Sequence, residues 1–141
     1  MKVILRFITI SFFILFSSCS EHIVESTPSI NQNLNAEIVL AKFSGIQGKV
    51  FNKSCALSGC HVTGVQSPDY SGNAYNVIVS KASTQGLNYI EPGDPIRSYL
   101  YLKLTNASNI SGTQMPQNAP PLEQSIIDSI STWISNGALN N

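Results

Sequence analysis

The chain has 141 residues, 43% of them hydrophobic and only 11% charged, with eight Lys and Arg against eight Asp and Glu and hence no formal net charge. That balance excludes a protein whose partner is nucleic acid, since such binding draws on clustered cations. The length leaves room for one modest domain.

Residues 1–18 start with Lys2 and Arg6 and continue as Phe7-Ile8-Thr9-Ile10-Ser11-Phe12-Phe13-Ile14-Leu15-Phe16, an apolar run too short to span a bilayer comfortably. This is the pattern of a secretory signal. Ser17-Ser18-Cys19 follows and is similar to the bacterial lipoprotein cleavage box. That similarity implies a lipid on Cys19, anchoring the chain to the inner or outer membrane of a bacterial cell envelope. The alternative is an ordinary signal followed by a free thiol. Removing the leader leaves six bases against eight acids, a net charge of about −2 that singles out no partner. Residues 19–40 are rich in Ser, Asn and Glu without a sustained apolar period, and predict a flexible tether. The folded domain is expected over 41–141.

Phe43, Ile46 and Val50 recur at helical spacing, which predicts a first short helix capped by Ser44 and ending near Asn52 or Lys53. Gly45 and Gly48 weaken it, and would suit a close approach by another helix. A second helix is expected from Ser71 to Ser80, with Tyr75, Ile78 and Val79 inward. In Glu91-Pro92-Gly93-Asp94-Pro95, an N-cap Asp precedes a Pro at the first helical position, so a third helix should run from Pro95 to about Thr105 with Ile96, Tyr99 and Leu100 inside. Residues 106–121 read as an irregular, proline-stiffened loop. A last helix, about Leu122 to Asn136, carries Leu122, Ile126, Ile130, Trp133 and Ile134 on one face, with Gly137 placed to end it. The elements are all helical, so the fold class is all-α.

Between the first two helices lies Phe51-Asn52-Lys53-Ser54-Cys55-Ala56-Leu57-Ser58-Gly59-Cys60-His61. Two thiols can add across the two vinyl groups of one haem, and a histidine directly after the second thiol is then held beneath the iron. The commonest form of that motif has two residues between the cysteines, whereas this chain has four. The extra residues can bulge outward if Gly59 takes a positive φ. Two other chemistries use the same residues. Close cysteines in an exported chain form disulfides, here worth roughly 2 kcal/mol for so short a loop. Zinc requires four ligands, and His22 is the sole further histidine.

Taken together, residues 43–138 resemble class I c-type cytochrome domains, and more closely the exported bacterial forms with a Cys-x-x-x-x-Cys-His motif. The matching pieces are Phe51 to His61, Pro92-Gly93-Asp94-Pro95 with Ser98 and Leu100, Met115-Pro116, and Trp133-Ile134 with Gly137-Ala138. The resemblance implies a small cytochrome c-like fold of about four short helices around one haem, with the N- and C-terminal helices crossing. It implies that Phe51 packs at that crossing against Ile130 and Trp133. It further implies one covalently bound haem c on Cys55 and Cys60, with His61 and Met115 as axial iron ligands and the Pro92 carbonyl orienting His61. Tyr99, Tyr101 and Arg97 are candidates to meet a propionate. The implied function is electron transfer between redox partner proteins, not catalysis. The alternatives are a haemless structural or binding lipoprotein on the same scaffold, closed by a Cys55–Cys60 disulfide, and a haem peroxidase or enzyme subunit in which Met115 is displaced.

Overall fold

The computed structural model describes residues 41–141; the signal, the tether, Cys19 and His22 lie outside them. In chain order the elements are α1 (Phe43–Ile46), a π-helix (Gln47–Cys55), α2 (Tyr75–Ile78), a 3-10 turn (Pro95–Arg97), α3 (Tyr99–Leu104) and α4 (Gln124–Ser135). Among the described residues there is no β-strand, only single bridges between Val79 and Ile90 and between Ala82 and Asn88. The expected all-α class is therefore observed. None of the described helices is long and apolar enough to cross a membrane.

The first helix is longer than its sequence pattern suggests, because α1 runs directly into the π-helix and ends at Cys55. A π-helix closes i→i+5 hydrogen bonds, so each turn takes up more than the α-helix's roughly 3.6 residues. Ile46, Val50, Phe51 and Cys55 thereby come to one side, the first three buried and Cys55 half-buried. Ser44 is not the cap. The helix starts one residue earlier, and Asn141 satisfies its opening amides: its side chain accepts from Phe43 N–H at 3.0 Å and its carbonyl from Ser44 N–H at 2.8 Å. The expected close approach at Gly48 is also absent, for a Cβ there would meet open space.

The second helix shrinks to one turn. The Ile78 carbonyl and the Ser80 N–H are drawn into pairing with residue 90, as Ile90 N–H donates to the Ile78 carbonyl at 3.0 Å and Ser80 N–H to the Ile90 carbonyl at 2.9 Å. The third helix divides at Ser98. Asp94 caps the turn as its Asp-Pro start predicts, accepting from Arg97 N–H at 3.2 Å. Ser98 then turns extended, and its buried hydroxyl accepts from Glu91 N–H at 2.8 Å and donates to the Asp94 carbonyl at 2.8 Å. The break changes the helical phase, so Leu100 is buried as expected but Ile96 points outward, 74% exposed.

Helix α4 carries Ile127, Ile130, Trp133 and Ile134 into the core, with Ile126 only partly buried. It ends where Gly137 predicts. Gly137 has φ +92°, its N–H donates to Ile134 and that of Ala138 to Trp133, the paired bonds of a left-handed helix stop. The two ends of the domain meet through aromatic rings, with Phe43 5.9 Å from Trp133, 5.2 Å from Tyr75 and 6.5 Å from Phe51. Phe43 thus makes the ring contact with Trp133, while Phe51 packs closest to Tyr70 at 4.6 Å.

Ser98→Ala should cost about 1–3 kcal/mol, because it strands a buried amide and carbonyl. Ile96→Ser should stay within about 0.5 kcal/mol of wild type. Denaturant unfolding of both variants checks the pair, and equal losses would contradict the outward position of Ile96.

Candidate cofactor-binding cavity

The π-helix delivers Cys55 to the floor of a cavity, and the following turn brings round Cys60 and His61. His61 N–H donates to the Cys55 carbonyl at 3.1 Å, which closes the motif into a loop, and Cys60 N–H donates to Leu57 at 2.9 Å. The extra residues of the four-residue spacing lie outside that closure: Leu57 to Cys60 are exposed and Gly59 has φ +80°. The expected outward bulge is present.

His61 is held from three further sides. Its carbonyl accepts from Tyr70 N–H at 2.9 Å, its ring lies 5.0 Å from the buried Tyr70 ring, and its Nδ1 is 3.0 Å from the Pro68 carbonyl. A carbonyl can only accept, so Nδ1 carries the proton and Nε2 keeps its lone pair for a ligand. Pro68, not Pro92, is the orienting carbonyl. Pro92 instead belongs to the turn whose Gly93 N–H docks on Ile134 at 2.7 Å. The loop presenting Pro68 is closed by Asp69, which accepts from Thr63 Oγ1 at 2.6 Å and from Ser71 N–H at 2.8 Å. The Ser71 hydroxyl also donates to this carboxylate at 2.5 Å, and it, followed by the Thr63 and Ser71 N–H bonds, holds the Asp69 carboxyl below its usual value.

The opposite wall comes from α3 and the irregular loop after it. Met115 N–H donates to the Lys103 carbonyl at 2.9 Å, Gln114 Nε2 to the Leu104 carbonyl at 2.7 Å, and Ser111 N–H to Tyr99 Oη at 3.1 Å. Lys103 is 9% exposed, and its ammonium donates to the carbonyls of Ser111 (2.9 Å) and Thr113. An apolar run, Tyr99-Leu100-Tyr101-Leu102-Lys103-Leu104, hid that role, since a lysine in such a run reads as a side chain snorkelling to water.

The cavity encloses about 340 Å³, within the range of small-molecule and cofactor sites. Cys55, Cys60, His61 and Met115 all line it, with Tyr70, Leu100 and Leu104 among the apolar walls. Tyr99 lines it as well; Arg97 and Tyr101 do not. Lys103 is the single charged side chain in the lining, which contains no carboxylate. A neighbouring cleft of about 230 Å³ is lined by Thr113, Gln114, Asn118 and Pro121 together with Pro116, Gln117 and Ala119, which it shares with the cavity; Cys55, Cys60, His61 and Met115 do not line it.

Both cysteines are free thiols. Burial, with the neighbouring Cys60 charge adding to it, pushes Cys55 up to about 12, so it stays a neutral thiol and a poor partner for disulfide exchange. Burial lowers His61, the Pro68 bond partly opposes this, and the positive charge of Lys103 lowers it further. Burial likewise keeps Tyr70 a neutral phenol. Among the described residues no three His, Cys, Asp or Glu side chains gather to hold a bare metal ion, which leaves the zinc alternative without its ligands there.

Compared with protein-family models, curated proteins and solved structures, the chain matches none.

A histidine whose folded value lies below 6.5 binds a proton more readily when unfolded. In the ligand-free protein, stability should then fall as pH drops below 6.5 toward the lowered folded value. His61→Gln should flatten that part of the profile, with Asp69 acting only at more acidic pH. Thermal melts between about pH 7 and pH 5 check this, and an unchanged slope in the variant would contradict it.

Proposed function

We propose that this protein is a membrane-tethered monohaem c-type cytochrome that passes single electrons between redox partner proteins, on a cytochrome c-like helical fold. One observation carries the reading: a single cavity brings together two free thiols, an imidazole with its outer nitrogen available, and a thioether on the opposite wall. That donor set fits haem c. Cys55 and Cys60 would hold it by thioether bonds, and His61 and Met115 would supply nitrogen and sulfur to its iron. When bound, haem c would supply a one-electron ferric–ferrous couple in place of any chemistry the side chains lack.

The remaining residues prepare the two ligands. Pro68 fixes the His61 tautomer, and the lowered affinity of His61 for a proton keeps its lone pair free near neutral pH. Met115 offers a soft sulfur, which favours the ferrous state and hence reversible electron transfer over oxygen chemistry. The low charge of the lining and the half-buried position of both ligands limit water access.

Made in a host with c-type maturation, the full chain should keep haem stain on a denaturing gel, because thioether bonds survive unfolding. Cys55→Ala and Cys60→Ala should each weaken the stain. A native protein without haem and with a Cys55–Cys60 disulfide would replace this reading with the structural lipoprotein, and a high-spin iron with an open position would replace it with the peroxidase.

The membrane tether is part of the same proposal and rests on Cys19 alone. Cys19→Ser should move the protein from the membrane fraction to the soluble one. A wild type that is already soluble after export would remove the anchor.

A further inference from the structure

Lys103 holds the Met115 loop at both of its own ends. Its backbone carbonyl accepts the Met115 N–H, and its ammonium reaches the carbonyls of Ser111 and Thr113, three residues of one irregular segment. The segment has no helix or strand of its own, so these bonds replace the internal ladder that would otherwise order it. The ammonium is also where a charge is costly. It is nine-tenths buried, both bonded partners are neutral carbonyls, and no carboxylate stands in the cavity wall to balance it. A neutral donor could tie two carbonyls without that cost. A retained cation in such a wall favours whatever state of the cavity's contents carries less positive charge.

We propose that Lys103 is a positioning residue with a second, electrostatic role: it presents Met115 to the cavity before any cofactor arrives, and its charge raises the reduction potential of the iron bound there. The first half needs no haem; the second rests on the function proposed above. Iron gains one electron and loses one unit of positive charge on reduction, so a nearby fixed cation stabilises the reduced form. At an effective dielectric of about 20, one unit charge at roughly 10 Å shifts such an equilibrium by about tenfold. The bonds and the charge are separable, because glutamine can donate to the loop carbonyls without carrying charge, arginine does both, and methionine does neither.

The test uses the full chain in four forms: wild type, K103R, K103Q and K103M. Hydrogen exchange at the Met115 amide, measured with and without haem, reads positioning. The ferrous-to-ferric ratio at one fixed ambient potential and the near-infrared sulfur-to-iron band read the bound state. K103M should speed exchange at Met115 at least tenfold even without haem, and should weaken the band. K103Q should keep most protection and the band but lower the ferrous-to-ferric ratio about tenfold. K103R should restore both. Wild-type exchange in K103M would overturn the positioning role, and a wild-type ratio in K103Q would overturn the electrostatic one. A wild type that never retains haem would end the proposed function and the electrostatic half together, while exchange at Met115 would still decide the positioning half.

Discussion

The domain depends on Phe43 being packed among Trp133, Tyr75 and Phe51. This cluster fastens the first helical segment to the last, and from the first segment everything about the site is suspended. Aromatic contacts of this kind stabilise through their large apolar area, and the edge-to-face pairs of Phe43 with Phe51 and Tyr75 add about 0.5–1.5 kcal/mol each beyond the area itself, while the Phe43–Trp133 pair is tilted at 37°. Asn141 on the opening amides of α1 and the Trp133 indole bonded to the Leu139 carbonyl at 2.8 Å draw the C-terminal residues into the same join. With one end anchored, the π-helix can end in a defined place, and its last residue is Cys55.

From there the geometry passes inward through contacts between the helix and the loop that follows the cysteine motif. Phe51 touches Tyr70, Tyr70 touches His61, and Gln47 ties the segment down by donating to the Tyr70 carbonyl at 2.9 Å and accepting from Ala74 N–H at 2.9 Å. His61 is therefore supported by the helix that precedes it and by the loop that follows it. Under the proposed function such support would matter, because ring orientation and tautomer set how well an imidazole can donate to a metal. The other wall is built differently. No regular element carries Met115; a helix and a buried ammonium do the holding from outside the loop.

The two walls also differ in how far they could be read in advance. Cysteine spacing, the adjacent histidine, the Gly59 bulge and the one methionine after Met1 are local or compositional signals, and each identifies a residue that does line the cavity. The Asp-Pro start of the 3-10 turn and the glycine stop of α4 are equally local, since a cap needs only its own few neighbours. Errors arose where one segment competes with another. α2 lost residues to pairing with Ile90, and Ile96 left the core because Ser98 broke the helix to satisfy Glu91 and Asp94. A periodicity argument assumes an unbroken helix and does not register such bonds.

By itself the sequence determined the all-helical class and several of the positions at which helices start and stop, because these follow from side-chain chemistry and short-range backbone preference, and it singled out Cys55, Cys60, His61 and Met115, which line one cavity. Only the tertiary structure decided which carbonyl meets His61, which aromatic joins the two helices and that Lys103 is a buried cation. Pro68 and Pro92 are both prolines near a turn, and nothing local distinguishes them; the Asp69-closed loop places one against the imidazole and the docking of Gly93 on Ile134 removes the other. Lys103 has the side chain of a surface residue and becomes interior because a loop about ten residues later folds its carbonyls over the ammonium. Contacts between segments distant in sequence carry no signature in either segment alone, which is the physical reason they had to be seen.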